Sequence, residues 1–185
     1  IRKADIKDLS RIAEIQVFNY RLYFYPIFQS DEYYFSELQV PPLMHSYESE
    51  LDSLYVYDDG VVKGFIKIEN TYIARLFVEP ILQNSSIGTR LLEYAVNEHH
   101  ADHLWALEKN TKAIRFYERN GFFVTGEKKL EEGTAEYLLF LRRKWSFYLQ
   151  ISICILFRSP LSTFQDQYSF IMKIMYKAME KTIAK

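Results

Sequence analysis

The sequence predicts an α/β fold, a mixed sheet formed by one domain over residues 1–144, with an extra C-terminal strand and helix appendage over 145–185. Three observations carry this. Two apolar stretches flank the turn Asp58-Asp59-Gly60, as the strands of a hairpin do. Two strand-length runs, ending near Val78 and Leu107, each give way to residues of helical period, the order of a strand-to-helix crossover. After Arg143 the texture changes, because residues 145–157 carry no charge and are rich in aromatic and branched side chains.

Residues 1–4 are expected to form a short strand. Asp5 then starts a helix on which Ile6, Leu9, Ile12, Ala13 and Val17 recur at helical spacing, which predicts a buried face. Ser30-Asp31-Glu32 has the composition of a second helix start, and Pro41-Pro42 is expected to break the chain before a third. Strands follow over 54–57, 61–68 and 72–78, then an amphipathic helix carrying Ile87, Leu91, Leu92, Ala95 and Val96. A strand at 104–107 precedes a helix over 111–120 that Gly121 stops, and strands at 122–127 and 134–141 close the domain.

The 185 residues and 49% hydrophobic content suffice for one substantial core. With 23 basic and 24 acidic residues the net charge is -1, which excludes the basic footprint of a nucleic-acid binder. The one cysteine, Cys154, rules out an internal disulfide framework and fits a reducing compartment. Residues 1–14 are charged throughout, with no apolar secretory stretch, so the expected location is cytoplasmic, without a membrane partner.

Chemistry is suggested by residues 76–92, a strand, a small polar loop and a helix start in succession. Converging loop N–H groups and an unsatisfied helix N-terminus suit the oxygens of a pyrophosphate. Gly88 would let the backbone approach such a group closely. A second segment, Asn110-Thr111-Lys112-Ala113-Ile114-Arg115-Phe116-Tyr117-Glu118-Arg119-Asn120-Gly121-Phe122, follows downstream. Together the two resemble the GNAT superfamily: the first its Val-x-Pro-x-x-(Arg or Gln)-x-x-Gly-x-(Gly or Ala) loop, the second its Asn-x-x-Ala-x-x-Phe-Tyr-x-x-x-Gly-Phe segment.

The resemblance covers residues 1–143, with motif-level agreement over 76–122. It implies the GNAT acyl-CoA N-acyltransferase fold, a sheet splayed into a V between its fourth and fifth strands, and acetyl-CoA as cosubstrate, with no metal. By this resemblance, backbone groups near Phe77, Val78 and Glu79 hold the pantetheine arm. Gln83, Asn84, Ser85, Ser86, Ile87, Gly88 and Thr89 hold the pyrophosphate, while Asn110 and Lys112 reach the cofactor from the second helix. Tyr117 is implied as the proton donor to the departing thiolate. One departure is that the first loop glycine of the family is Ser86 here, which costs backbone freedom if that position needs positive φ. The fourth strand also lacks the glutamate that many members carry, leaving Glu69 or Glu79 at its flanks as general base, unless the amine arrives neutral.

The aromatic residues Tyr20, Tyr23, Phe24, Tyr25, Phe28, Tyr33, Tyr34 and Phe35 border the acceptor groove in the resembling family, and packing in the core is their other expected use. Glu131 and Glu132 would add negative potential at its mouth. His99, His100 and His103 lack a complementary ligand set of recognised spacing, so no metal is assigned to them. The implied function is N-acetyl transfer to a primary amine, on a small molecule or a peptide, by direct attack in a ternary complex. The alternative is a non-catalytic acyl-CoA-binding or regulatory module of the same fold. For residues 145–185 a homodimer contact is the favoured expectation and membrane-surface attachment its rival.

Overall fold

A computed structural model describes residues 1–143. The predicted appendage over 145–185, and with it the dimer contact, lies outside the described residues. Strand β1 (Arg2–Lys3) leads into a capping box in which Asp5 accepts from the Lys7 N–H at 2.7 Å and Asp8 accepts from the Asp5 N–H at 2.9 Å. Helix α1 (Leu9–Asn19) follows, with Leu9, Ile12, Ala13, Ile15 and Val17 buried. Ile6 does not join that face: it lies in the short 3₁₀ turn before α1, where the helical period has not begun, and is 63% exposed.

After Asn19 the helix widens to π-type hydrogen bonding over Tyr20–Phe24, then returns to α2 (Tyr25–Phe28). Pro26 accounts for this locally, since it supplies no N–H to the turn before it and its ring crowds the carbonyl four residues back. The Ser30-Asp31-Glu32 start also opens a π-helical turn, Glu32–Glu37, rather than an α-helix. Pro41 and Pro42 fall inside the first turn of α3 (Val40–Glu48), where their missing N–H groups cost nothing, so they begin that helix instead of breaking the chain before it.

The sheet comprises β1, β2 (Leu54–Asp58), β3 (Val62–Glu69), β4 (Tyr72–Val78), β5 (His103–Leu107), β6 (Phe122–Leu130) and β7 (Tyr137–Arg143), in the order β1-β2-β3-β4-β5-β7-β6. The first four strands are successive antiparallel neighbours, β4 and β5 are parallel, and β7 returns antiparallel to β5. Helix α4 (Ile87–His99) connects β4 to β5, and α5 (Thr111–Arg119) connects β5 to β6. Against β3, β4 keeps register from Val78 to Tyr72, with Ala74 as an extra residue between Arg75 opposite Lys67 and Ile73 opposite Ile68. Against β5 it pairs at one position, Tyr72 with His103. The parallel neighbours therefore part after their first residues, and the backbone of β4 beyond Tyr72 is not covered by β5.

Both faces of the sheet are packed. Ile66, Ile68, Ile73, Leu91, Leu92, Ala95, Leu104, Phe122 and Leu141 form the cluster under α4 and α5. Leu9, Ile12, Ile15, Tyr47, Leu54, Val56 and Phe65 form the one under α1 and α3. Burying each such side chain contributes about 1.5–3 kcal/mol, which holds α1 and α4 on opposite sides of β4 and fixes the walls of the splay. Among the described residues no helix is long and apolar enough to cross a membrane.

Candidate functional site

The loop from β4 to α4 carries two residues in the left-handed region, Asn84 at φ 67° and Ser86 at φ 66°. Asparagine tolerates that conformation; serine does so at a cost, and the left-handed geometry anticipated for the glycine-like position is found at Ser86. Ser86 precedes α4 without capping it through its side chain, and the Ser85 hydroxyl donates back to the Leu82 carbonyl. As a result the consecutive N–H groups of Asn84, Ser85, Ser86, Ile87, Gly88 and Thr89 have no acceptor among the described residues. Alternating left-handed and right-handed residues turn such groups toward one concavity, and the helix N-terminus adds its partial positive charge.

Gly88 packs beside α5 and β4. It lies in the first turn of α4, and a Cβ built there would meet the Phe116 ring at 3.4 Å and Val78 Cγ2 at 3.6 Å. A methyl group there would make ordinary van der Waals contact and a bulkier side chain would collide with Phe116, so the first turn of α4 and the loop before it lie close against α5. Phe77 departs from its expected backbone role. The Glu79 N–H donates to the Lys63 carbonyl at 2.8 Å, which makes Phe77 opposite Phe65 a hydrogen-bonded pair in the same ladder. Phe77 and Glu79 therefore spend their backbone groups on β3, and Leu76 and Val78 alternate toward the splay. The Phe77 ring instead packs with Tyr20, Phe24 and Phe65.

Gln83 ties the loop to the N-terminal helices. Its Oε1 accepts from the Tyr23 hydroxyl at 2.8 Å and its Nε2 donates to Asn19 Oδ1 at 3.1 Å. Asn19 in turn donates to the Val78 carbonyl at 3.0 Å and to the Ile15 carbonyl at 2.8 Å. Lys112, in the first turn of α5, places its ammonium 5.5 Å from the Tyr23 ring centre. Gln83 and Lys112, both anticipated as cofactor contacts, thus converge on Tyr23. Asn19 was missed by sequence reasoning, because its partners lie up to 64 residues away and no local spacing signals them.

On α5, Asn110 caps the helix by accepting from the Ala113 N–H at 3.2 Å. Tyr117 is 8% exposed, its ring packed against Phe116 and Phe122. Burial pushes its hydroxyl up from the ordinary tyrosine value, with Tyr72 adding to the effect, so Tyr117 holds its proton at neutral pH. That hydroxyl has no hydrogen-bond partner among the described residues. It is a protonated donor on α5, the helix whose Phe116 ring faces Gly88.

Across β4 the side chains are charged and aromatic. Lys67 on β3, 8% exposed, holds Glu50 at 3.0 Å and Glu69 at 2.7 Å. Arg75, its cross-strand neighbour, lies 3.6 Å from Glu50, with its guanidinium 5.5 Å from the Tyr47 ring centre. Tyr20 stands beside Arg75; burial pushes its hydroxyl up and Arg75 opposes that. Tyr33 and Tyr72 are also raised by burial and lie within electrostatic reach of both Arg75 and Glu131. Glu69, expected as general base, commits an oxygen to Lys67, and Glu79, its alternative, is held by Arg11 at 2.5 Å. Arg75, Tyr47, Glu50 and Lys67 were not singled out from sequence.

The other expected contributors disperse. Tyr34 is buried against Val17 and Leu38, and Tyr25 and Phe28 pack around them, whereas Tyr33 and Phe35 are exposed. His99 contacts the rings of Tyr55 and Tyr94, His103 pairs with Asp102 at 2.7 Å, and His100 ends α4. Among the described residues no three His, Cys, Asp or Glu side chains gather as a metal site.

Comparison with known proteins places this geometry in a family. The acetyltransferase (GNAT) domain model matches residues 50–124, the span from Glu50 through the loop and α5 into β6. Peptidyl-lysine N-acetyltransferase YiaC of Escherichia coli is 30% identical over 86 residues, covering 46% of this chain and 59% of its own length. The match thus spans well under two thirds of that relative. Peptidyl-lysine N-acetyltransferase YjaB of Salmonella typhimurium is 28% identical, covering 49% of this chain and 70% of its own. The fold is shared with the PaiA N-acetyltransferase of Thermoplasma acidophilum, solved in complex with coenzyme A, at a TM-score of 0.59 and 22% identity over 77% of this chain and 96% of that one. The domain match lies over the very loop and helix that bound the splay, and the described sheet shares its fold with a solved N-acetyltransferase, findings that support membership of the GNAT acetyltransferase superfamily for the span 50–124.

Proposed function

We propose that this protein transfers the acetyl group of acetyl-CoA to a primary amine, by direct attack of the amine within a ternary complex. The observation that carries the reading is the run of unspent N–H donors from Asn84 to Thr89 on the loop that α5 packs against, together with a buried Tyr117 on α5 whose hydroxyl has no partner among the described residues. The family relatives support the cosubstrate and an amine acceptor, since two are named peptidyl-lysine N-acetyltransferases and PaiA was solved with coenzyme A.

The residues fit such a guest. A pyrophosphate matches consecutive backbone donors at a helix N-terminus, with Lys112 on the adjoining helix turn for charge. Leu76 and Val78 offer extended backbone to an amide-bearing arm, the Val78 carbonyl being already taken by Asn19. Bound acetyl-CoA would supply an activated thioester. Tyr117 then gives its phenolic proton to the sulfur as the carbon–sulfur bond breaks and the new carbon–nitrogen bond forms, while the nitrogen sheds its surplus proton to solvent. Glu69 is given no base role, because it is engaged by Lys67.

The test is detection of free thiol when the full chain is incubated with acetyl-CoA and a panel of primary amines. Amine-dependent release with a matching mass increase of about 42 Da on the acceptor, one acetyl group replacing one hydrogen, is the expected result. Saturable binding without release to any amine would instead support the acyl-CoA-binding module, a reading that the strained Ser86 and the paired carboxylates favour.

A further inference from the structure

The acceptor side of β4 carries a guanidinium where an amine must approach, and its surroundings leave that group largely unspent. Arg75 is 32% exposed on its side chain. Its face lies toward the Tyr47 ring, and Tyr20 is within electrostatic reach of it. Glu50, at 3.6 Å, is beyond hydrogen-bonding reach and is turned to Lys67 at 3.0 Å. A guanidinium has five N–H donors in a planar fork, so most of those of Arg75 are available to an incoming oxygen. Lys67 and Arg75 are directly opposite on β3 and β4, a like-charge pair that Glu50 bridges.

Arg75 also belongs to the splay. Tyr72 lies within electrostatic reach of Arg75 and Glu69 on one side and of Tyr117 on the other. The carboxylates near it are engaged: Glu50 and Glu69 by Lys67, and Glu79 by Arg11. A protonated amine brought here meets two cations already balanced by Glu50 and Glu69, with no unpaired carboxylate on β3 or β4 to hold it, whereas a neutral amine flanked by a carbonyl or carboxylate oxygen meets a donor fork.

Resting on the acetyltransferase reading above, we infer that the acceptor is an α-amine, an amino group one carbon from a carbonyl or carboxylate oxygen, and that Arg75 binds this oxygen. A peptide N-terminal amine, beside a neutral carbonyl, has a pKa near 7.7–8.0 against about 10.4 for a lysine side chain, so at pH 7 its neutral fraction is larger by roughly 300-fold, an advantage that the carboxylate of a free amino acid reduces. The nitrogen lone pair attacks the thioester carbon, the carbon–sulfur bond breaks, the sulfur takes the Tyr117 proton and the nitrogen loses one to water. Free amino acids and peptide N-termini share this chemistry.

The experiment measures thiol release from acetyl-CoA by the full chain at pH 7 with three acceptors. These are a lysine-free tripeptide amide with a free N-terminus, a free amino acid, and an N-terminally acetylated lysine amide. The expected result is kcat/KM at least about 10-fold higher for one or both α-amines than for the lysine amide; the first two arms tell a peptide terminus from a free amino acid. Arg75→Gln is expected to raise KM for the preferred α-amine by about 10-fold or more, with acetyl-CoA affinity unchanged and Arg75→Lys intermediate. Equal or faster acetylation of the lysine amide by the unaltered protein overturns the inference, whatever the variants do. An unchanged KM in a folded Arg75→Gln protein overturns the role of Arg75. Release with none of these or other amines overturns the acetyltransferase reading itself, a distinct outcome from release with lysine alone.

Discussion

The two sides of the splay are built from different materials. On the cofactor side the groups are backbone N–H donors from Asn84 to Thr89, supplied by a short stretch of chain and set by local conformation. On the acceptor side they are side chains, Tyr20, Tyr47, Glu50, Lys67, Tyr72 and Arg75, gathered from α1 onward through β4. A backbone site depends on the path of the chain and tolerates exchange of its side chains, as Ser86 in a left-handed conformation illustrates. A side-chain site changes with each substitution, so members of one family can share the first and differ in the second.

Tyr117 stands where the two sides meet, and its substitution should separate them most sharply. Tyr117→Phe is expected to lower turnover by about 100- to 10,000-fold while leaving the affinity for acetyl-CoA within about twofold, as read by thiol release and calorimetry. Turnover unchanged across the pH range would remove the proton-donor role. A loss of binding alone would mean that the ring, not the hydroxyl, is what matters.

Ser86 sharpens the contrast from the cofactor side. A non-glycine residue in the left-handed region costs about 1–2 kcal/mol, part of which glycine returns through its freer unfolded chain. Ser86→Gly should therefore raise stability by about 0.5–1 kcal/mol, seen as a rise in Tm of roughly 2–4 °C, and tighten acetyl-CoA binding. A lower Tm would show that the serine side chain contributes more than its backbone strain costs.

A control belongs to neither side. Arg2 donates to Asp8 at 2.7 and 2.9 Å, and this hydrogen-bonded pair holds the Asp8 carboxyl below its usual range. Because the folded value is depressed, the stabilisation is present above the unfolded value of about 3.9 and is lost as pH falls through the folded one. Asp8→Asn should lower Tm at neutral pH, with the difference from the parent shrinking below about pH 4, and leave thiol release unchanged. A pH-independent difference would assign the loss to packing instead.

The same division explains what could be read in advance. The hairpin around Asp58-Asp59-Gly60 and both crossovers follow from periodicity and turn chemistry, which act over a few residues. The loop was recognisable because its strand, polar turn and helix start are contiguous. The π-helical turn over Tyr20–Phe24 was not, since Asn19 just before it is held by the Val78 carbonyl, 59 residues distant. Nor was the Arg75 environment, because an arginine within a strand reads as surface until Tyr47 and Glu50 are folded against it. Gly88 was singled out for close approach to a phosphate, and the neighbours that the fold gives it, Phe116 and Val78, leave room for a Cβ and little more.

The central claim is that the loop from Gln83 to Thr89 holds acetyl-CoA, and calorimetric titration tests it most directly. The account predicts saturable binding by the full chain, abolished in Gly88→Trp, whose indole would force α4 away from Phe116 and Val78. Absence of binding by the folded, unaltered protein would contradict it, and undiminished binding by a folded Gly88→Trp protein would place the cofactor elsewhere.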